Sequence, residues 1–258
     1  MVPRSFRTAR RFLSFLVFSV TSVRDFQRNI RPREASGPNP RLRAEWTHRH
    51  AKRLCRILNC TVETTGQPPA AALYGSNHLG YLDIVTLGAA TPVVFVSKAE
   101  VRNWPIMGTL ASCGGTLFLD RERKGELRQV AQQFAPVIDS GIPVVIFLEG
   151  TSSGGDDVLP FRPSLLAPAV NEQWQVAPVG LDYEVSSGRV ADDVAYWRDD
   201  TFLPHFFKLL SQDWIRSRIA FGPAQAPGAD RKQLARELRD RVVALRRPVN
   251  APATTARS

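Results

Sequence analysis

The sequence predicts an α/β fold, in which a central mixed sheet is flanked by helices and preceded by a basic amphipathic helical region. Short apolar runs alternate with helical stretches along most of the chain, which is typical of a sheet covered by helices. The 258 residues are 43% hydrophobic and 22% charged, so the chain can bury a sizeable core. The predicted strands cover residues 70–75, 93–97, 116–119, 143–148, 176–181 and 215–221.

The first predicted element is a basic helical segment that contains a short apolar run. Residues 12–23 read FLSFLVFSVTSV, which makes about 18 Å of helix against roughly 30 Å of bilayer hydrocarbon. The run is too short to span, and we expect it to lie in the membrane interface. The side chains expected in lipid are Phe12, Phe15, Leu16 and Phe18. A signal peptide is the alternative, although no A-x-A cleavage site follows the run.

The pattern divides the chain into three predicted parts. Residues 1–43 form the interfacial membrane-anchoring segment and a proline-rich linker. Residues 44–227 form the folded domain, which opens with a basic amphipathic helix and contains a second helix over residues 126–139. Residues 228–258 form a charged C-terminal helix and tail.

Charge and residue usage limit the function classes. The net charge of +10 divides into +11 over residues 1–56, −6 over residues 57–227 and +5 over residues 228–258. Basic ends around an acidic body suit a peripheral protein on an anionic membrane surface, with solubilising tails as the alternative. A nucleic-acid binder more often carries positive charge on its folded body, so that class is only a remote alternative. Three cysteines and four histidines without zinc-like spacing predict neither a disulfide scaffold nor a metal site.

The end of the first predicted strand carries residues that suggest acid–base chemistry. His78 and Asp83 follow it, five positions apart. On one continuous helix their side chains would point about 140° apart, so they meet only if His78 precedes the helix and Asp83 lies in its first turns. Asp83 would then fix the imidazole tautomer and leave the other ring nitrogen as a base. Alternatively, His78 only starts the helix and Asp83 is a favourable charge near its N-terminus.

Two further strand ends carry polar residues. Glu149-Gly150-Thr151-Ser-Ser-Gly-Gly follows the strand over residues 143–148, and its backbone N–H groups and hydroxyls can face an anion or an oxyanion. The loop lacks the lysine of a P-loop, so it does not predict nucleotide binding. Asp120-Arg121 follows another strand and presents a guanidinium to a phosphate or carboxylate, or forms a local ion pair.

In this order the motifs resemble the four blocks of the glycerolipid acyltransferases, the family of 1-acyl-sn-glycerol-3-phosphate acyltransferase. The blocks are Asn-His-x4-Asp at 77–83, Gly-x2-Phe-Leu-Asp-Arg at 115–121, Phe-Leu-Glu-Gly-Thr at 147–151 and Val-Ala-Pro-Val at 176–179. Lys98 matches a basic position that the family has before the second block. Four ordered blocks are far more specific than any one of them, and the resemblance covers most of the predicted domain.

The resemblance implies a mechanism and a set of site residues. His78 would be the general base that deprotonates the hydroxyl of an acceptor lipid, and Asp83 would orient its imidazole. The hydroxyl would attack the thioester of acyl carrier protein or coenzyme A, with no acyl-enzyme, metal or other cofactor. The expected substrate-binding residues are Lys98, Asp120, Arg121, Glu149, Gly150, Thr151 and Arg162.

Two residues depart from the family pattern. The third block usually reads Phe-Pro-Glu-Gly-Thr-Arg-Ser, whereas Leu148 here replaces the proline and Ser152 replaces the arginine. The family uses that arginine toward the phosphate of the acceptor, and Arg162 is a substitute that the sequence offers. Glu-Gly-Thr-Ser-Ser, together with Tyr-Trp-x3-Thr-Phe-Leu-Pro-His at 196–205, is similar to the lyso-ornithine-lipid acyltransferase branch.

The sequence therefore predicts acyl transfer to a lysolipid at the cytoplasmic face of the inner membrane. The expected acceptor is 1-acyl-sn-glycerol-3-phosphate, which would give phosphatidic acid in phospholipid biosynthesis, and the alternative is a lyso-ornithine lipid or another lysolipid. A thioesterase or lipase that pairs His78 with a nucleophile is the other enzymatic alternative. However, neither Ser76 nor Cys113 lies on a Gly-x-Ser-x-Gly elbow.

Overall fold

The computed structural model describes residues 3–70, 72–119 and 126–246 of the chain. The predicted site residues Asp120 and Arg121 lie outside the described residues. The strands are β1 (Cys60–Thr65), β2 (Leu73–Ser76), β3 (Val94–Lys98), β4 (Leu117–Leu119), β5 (Val144–Phe147), β6 (Val176–Val185) and β7 (Ile215–Phe221). They form one sheet in the order β1-β7-β6-β2-β5-β3-β4.

The sheet is mixed, which confirms the predicted fold class. Strands β6, β2, β5, β3 and β4 run parallel, whereas β7 pairs antiparallel with β6 and parallel with β1. The sequence pattern does not predict β1. This edge strand reads CTVETT and buries only its first residue fully, so it lacks the apolar run that marks the other strands.

Helices cover both faces of the sheet. The α-helices of the described residues are α1 (Arg4–Asp25), α2 (Pro40–Leu58), α3 (Tyr81–Ala90), α4 (Met107–Cys113), α5 (Glu126–Asp139), α6 (Ala167–Glu172), α7 (Val190–Asp193), α8 (Phe202–Ser211) and α9 (Arg231–Arg246). Helix α2 begins in the predicted linker because Pro40 occupies its first turn and the side chain of Asn39 caps the N–H of Leu42.

Two hydrophobic layers sandwich the sheet. Successive strand residues point to opposite faces, so Leu73 and Tyr74 of β2 lie in different layers. One layer packs against α1, α2, α3 and α8, and the other against α5, α6 and α9. The central strands β2 and β5 are buried along their whole length, and this fixes the loops at their carboxyl ends in place.

The orientation of α1 corrects the expected lipid-facing side chains. Phe15 and Phe18 are only 3% and 4% exposed and belong to the core, while Phe12 and Leu16 are partly buried against it. The exposed apolar stripe of α1 consists instead of Phe6, Leu13, Val17 and Val20. Helix α1 packs on α8, so the aromatic face is used for folding and the opposite face is left to solvent.

A buried arginine ties α1 to the end of α8. Arg11 is 3% exposed and donates to the carbonyl oxygens of Leu210 (3.1 Å) and Asp213 (3.0 Å). Among the residues that the structure describes, no helix has the length and apolar character needed to cross a bilayer. The division of the chain at residues 43/44 and 227/228 remains a prediction.

Candidate active site

Three neighbouring parallel strands bring predicted site residues to one edge of the sheet. His78 lies two residues after β2, Glu149 lies two residues after β5, and Lys98 is the last residue of β3. Because β5 pairs with both β2 and β3, the segments that carry these side chains are neighbours. The carboxyl edge of parallel strands is where ligands commonly bind in α/β proteins.

His78 and Asp83 are in direct contact because a short turn separates them. His78 precedes α3, and Asp83 is the third residue of that helix. Oδ2 of Asp83 lies 2.7 Å from Nδ1 of His78 and accepts from the N–H groups of Leu79 (2.7 Å) and Gly80 (3.0 Å). The carboxylate acts as an acceptor here, so Nδ1 carries the donated proton and Nε2 is the basic ring nitrogen.

A buried tyrosine from a distant strand completes the surroundings of Asp83. The hydroxyl of Tyr183 in β6 donates to Oδ1 of Asp83 over 2.8 Å and lies 2.9 Å from the hydroxyl of Thr86. Burial, and then the negative charge of Asp83, raise the pKa of Tyr183 well above its usual range. Tyr183 therefore remains a neutral donor, and both oxygens of the Asp83 carboxylate are held.

The imidazole of His78 lies flat against an aromatic ring and is partly exposed. Its centroid is 4.0 Å from that of Phe147, with the two planes 15° apart. The side chain is 22% exposed, whereas the Asp83 side chain is fully buried. Within the described part of the chain, Nε2 has no hydrogen-bond partner. The basic nitrogen is thus free to meet an acceptor hydroxyl.

Asn77 fixes the start of this turn to the neighbouring strand. Its side chain is 1% exposed, donates to the carbonyl of Leu181 (3.0 Å) and accepts from the Leu181 N–H (2.8 Å). This two-way bond replaces a strand pairing at the point where β2 has ended. Strand β6 therefore positions both ends of the motif, through Leu181 and Tyr183.

Glu149 connects the glycine-rich loop to the same turn. Its side chain is only 2% exposed, and Oε1 accepts from the His78 N–H over 3.1 Å. The N–H of Ser153 donates to the His78 carbonyl over 2.9 Å, so the loop binds the turn at two points. Burial raises the pKa of Glu149 to about 7, so this carboxyl titrates near neutral pH.

Arg162 lies against Gly150 of the same loop. Gly150 has φ of +72°, a backbone conformation that favours glycine, and Nε of Arg162 lies 2.6 Å from where a β-carbon would be. The N–H of Arg162 donates to the carbonyl of Leu148 over 2.8 Å. Thr151, Arg162 and Lys98 are exposed, as polar substrate contacts at a rim would be. The structure thus brings Glu149, Gly150, Thr151 and Arg162 together beside His78.

The segment that precedes α8 contacts both the turn after β2 and the glycine-rich loop after β5. The Tyr196 N–H donates to the carbonyl of Leu79 (2.8 Å), and the hydroxyl of Ser152 donates to the carbonyl of Tyr196 (2.5 Å). A β-carbon on Gly80 would lie 2.8 Å from the Tyr196 backbone nitrogen, so glycine permits this close approach. The side chain that replaces the family's arginine therefore supports the fold of the site.

An apolar cavity of about 130 Å³ lies between α2, α3 and α4. It extends along β3, and Phe95 and Tyr81 belong to its lining. The ring of Phe95 stacks on Phe147 with centroids 6.3 Å apart, and Phe147 in turn stacks on His78. An apolar space therefore begins two rings away from the base.

The structure separates the histidine from the nucleophiles of the hydrolase alternative. Ser76 is fully buried inside β2, and Cys113 is buried at the end of α4. Among the described residues, the ring of His78 contacts Asp83 and Phe147 and neither of these nucleophiles. The arrangement favours a base that acts on a substrate hydroxyl over a serine or cysteine nucleophile.

Sequence reasoning missed three residues of the site. The motifs include Asn77 and Phe147 without giving either a role, and they do not include Tyr183. The tyrosine lies 100 positions from Asp83 in the chain. The local signal is its place between Asp182 and Glu184, because alternation along the strand puts its side chain on the buried face.

Comparison with known proteins shows which sequences this chain resembles. A family model described as "Acyltransferase" matches residues 59–182. The chain is 34% identical over 219 residues to a lyso-ornithine lipid O-acyltransferase of Pseudomonas aeruginosa, covering 84% of each chain. It is 27% identical over 154 residues to a 1-acyl-sn-glycerol-3-phosphate acyltransferase of Neisseria meningitidis, covering 59% of this chain and 60% of that one.

A solved structure shows the same fold. The crystal structure of the 1-acyl-sn-glycerophosphate acyltransferase PlsC from Thermotoga maritima matches with a TM-score of 0.64. The match covers 96% of this chain and 100% of the other at 17% sequence identity. The mixed sheet and its flanking helices are therefore common to both molecules.

Proposed function

Since this chain belongs to the acyltransferase family, we propose that it moves a fatty acyl group from an acyl thioester to the hydroxyl of a lyso-ornithine lipid. Support comes from its similarity to lyso-ornithine lipid O-acyltransferases of several bacteria, which include those of Pseudomonas aeruginosa and Brucella abortus. The second of these is 33% identical over 208 residues, covering 74% of this chain and 78% of its own.

The proposed chemical step depends on the contact between His78 and Asp83. Nε2 of His78 takes the proton of the acceptor hydroxyl as the oxygen attacks the thioester carbonyl carbon. The carbon–sulfur bond then breaks, and the imidazolium returns the proton to the departing thiolate. Asp83 holds the ring in the required tautomer and stabilises the imidazolium across 2.7 Å.

One observation favours lyso-ornithine lipid over a phosphorylated acceptor. Ser152 occupies the position of the arginine that resembling sequences direct toward a phosphate, and its hydroxyl is engaged with the Tyr196 carbonyl. A lyso-ornithine lipid presents a carboxylate and an amine where the other acceptor presents a phosphate. We infer that this site has changed its head-group contacts while keeping its base.

The position of Arg162 favours a second candidate acceptor, 1-acyl-sn-glycerol-3-phosphate. Acylation of this lipid would yield phosphatidic acid. The guanidinium of Arg162 lies on Gly150 and is exposed toward the open edge of the site. A guanidinium binds a phosphate through two parallel hydrogen bonds, so one arginine is enough to hold such a head group. Lys98 would add a second positive charge at the same edge.

We propose that the donor is acyl carrier protein or coenzyme A, and that the apolar cavity beside Phe95 receives part of an acyl chain. Its lining is mostly apolar and includes Leu54, Val85 and Met107. Burying methylene groups there is favourable by about 0.8 kcal/mol each. The reaction needs no cofactor in this proposal because a thioester is already activated for acyl transfer.

We further propose that α1 attaches the protein to the cytoplasmic face of the inner membrane. Its exposed stripe of Phe6, Leu13, Val17 and Val20 is flanked on the same helix face by Arg10 and Arg24. An apolar stripe beside arginines is the pattern of a helix that lies in the headgroup region. The lysolipid acceptor would then diffuse within the same surface as the site.

An acyl-transfer assay with purified protein tests the acceptor. Lyso-ornithine lipid and 1-acyl-sn-glycerol-3-phosphate are each offered with acyl carrier protein and coenzyme A thioesters of one chain length. We expect kcat/KM to favour lyso-ornithine lipid. A strong preference for the phosphorylated acceptor, unaffected by Arg162→Met, would contradict the proposal and both head-group arguments given above.

A further inference from the structure

We propose that Arg198 binds the carboxylate of the lysolipid head group and takes over from the arginine that is missing at position 152. The proposal rests on the lyso-ornithine acceptor proposed above. Arg198 belongs to the segment that closes over the site, and it was not among the predicted site residues.

The segment before α8 is attached to both loops by its backbone. Tyr196 donates its N–H to Leu79 in the turn between His78 and Asp83, and its carbonyl accepts from Ser152 in the glycine-rich loop. Because one residue bonds to both loops, the residues next to it are held at the rim of the site.

Trp197 continues this contact along the glycine-rich loop. A β-carbon on Gly154 would lie 2.6 Å from Cζ2 of Trp197, so the indole lies directly on the loop backbone. The indole N–H donates to the carbonyl of Ala191 over 2.9 Å, which fixes the ring. The tryptophan is therefore a rigid platform between the segment and the loop.

Arg198 lies on this platform. Its guanidinium carbon is 3.8 Å from the centroid of the Trp197 ring, a cation–π contact that orients the planar group. The side chain is exposed, and among the described residues no carboxylate pairs with it, although Asp199 and Asp200 follow it in the chain. An oriented guanidinium without an acidic partner is ready to take a carboxylate from a ligand.

Ser152 and Arg198 are linked by the same contact. The short hydroxyl of Ser152 reaches the Tyr196 carbonyl at 2.5 Å, which draws the segment onto the loop at position 152. Arg198 follows two residues later in the chain and stacks on the indole that lies against Gly154, whereas Arg162 lies against Gly150 at the other end of the loop. The positive charge lost from position 152 is thus supplied again from the segment that Ser152 holds.

Carboxyl esterification of the acceptor tests the assignment. KM and kcat are measured for lyso-ornithine lipid and for its methyl ester with the wild type, Arg198→Gln and the control Arg236→Gln, which removes an exposed arginine of α9. The wild type should show a KM about 10-fold higher for the ester. Arg198→Gln should raise KM for the acid about 10-fold, with little difference between acid and ester. Arg236→Gln should match the wild type.

Two further variants test whether the effect depends on the guanidinium of Arg198 in particular. Arg198→Lys keeps the charge and loses the planar fork, so it should retain part of the discrimination between acid and ester. Arg162→Gln should leave that discrimination in place, because its guanidinium lies at the other end of the loop. Thermal melts accompany all variants, and we expect Arg198→Gln to melt like the wild type since its side chain is exposed.

Several results would overturn the proposal. Equal KM values for acid and ester in the wild type would show that the carboxylate is not recognised. Discrimination that survives in Arg198→Gln, or that disappears in Arg162→Gln instead, would reject Arg198 as the contact. A wild type that does not acylate lyso-ornithine lipid at all would reject the proposed acceptor and this assignment together, whereas failure of the Arg198 variant alone leaves the acceptor standing.

Discussion

The phenol hydroxyl of Tyr183 donates to Oδ1 of Asp83 over 2.8 Å, while Oδ2 of the same carboxylate receives the imidazole and two backbone N–H groups. The turn before α3 supplies three of these four donors, and a strand 100 residues away supplies the fourth. The carboxylate that holds the His78 imidazole is therefore fixed by the sheet as well as by its own helix.

Removing that fourth donor should slow the reaction. In Tyr183→Phe, Oδ1 of Asp83 loses a hydrogen bond to a charged group, which is worth roughly 1.5–3 kcal/mol. We expect kcat to fall about 10-fold with little change in KM, because the base is less well oriented while the rim of the site is intact. Steady-state kinetics measures both constants.

Tyr74→Phe is the matched control for this variant. Tyr74 is also a buried tyrosine, and its hydroxyl donates to the carbonyl of Pro69 over 2.8 Å, away from Asp83. We expect about 1 kcal/mol of lost stability and an unchanged kcat. If both variants had the same kcat, the contact between Tyr183 and Asp83 would serve the fold alone.

Loss of the base should remove the activity without removing the fold. His78→Ala should lower kcat by about 10²–10⁴-fold, the usual contribution of a positioned general base. Asp83→Asn should cost less, because the imidazole remains while its tautomer is no longer imposed. Rates and thermal melts are compared for both variants. Full activity in a folded His78→Ala protein would reject the mechanism.

Glu149 should make the folded protein less stable as the pH rises. Burial raises its pKa from an ordinary 4.5 to about 7, so the folded state holds a proton that the unfolded state releases. This favourable contribution is complete below pH 4.5 and is lost as the pH rises through 7. Between pH 5 and pH 8 the free energy of unfolding should fall by about 2–3 kcal/mol on this account.

Urea unfolding of Glu149→Gln checks the pH dependence. The amide does not titrate, so the variant should lack the fall that the wild type shows between the two pH values. Glu172→Gln is the control, because Glu172 is an exposed carboxyl at the end of α6 and its replacement should leave the wild-type slope. Equal slopes in all three proteins would mean that Glu149 ionises normally in the fold.

The exposed stripe of α1 should carry membrane binding. Leu13 and Val17 are 63% and 56% exposed, so the double change Leu13→Gln and Val17→Gln should leave the thermal melt unchanged. It should weaken binding to anionic vesicles, because both apolar side chains lose their burial in lipid. Vesicle sedimentation measures the bound fraction at low and high salt.

Phe15→Ala on the opposite face of α1 is the comparison. Phe15 is 3% exposed and packs edge-on against Phe206 of α8 with centroids 4.8 Å apart. Its truncation should cost about 3–5 kcal/mol of stability. Undiminished vesicle binding by the Leu13 and Val17 variant would place the anchor elsewhere on the surface.

Local patterns were enough to predict every strand of the sheet except β1, and the contact between His78 and Asp83. Buried parallel strands are continuous apolar runs, so the strand that ends at Phe147 and the one that ends at Ser76 are visible in the sequence. The turn from His78 to Asp83 closes within six residues, and its hydrogen bonds depend only on where α3 begins. Such features are set by neighbours in the chain.

Only the tertiary structure decided which distant residues serve these local features. Helix α1 carries apolar side chains on two faces, and its packing on α8 decided that Phe15 is buried while Leu13 is exposed. The order of the strands placed Tyr183 on Asp83, and the path of the chain before α8 placed Tyr196 on Ser152. The sequence by itself determined the sheet-and-helix pattern and the contact between His78 and Asp83, because those depend on residue periodicity and short-range hydrogen bonds. The distant partner of Asp83 and the exposed face of α1 depend on contacts between residues far apart in the chain, which exist only once the layers have packed.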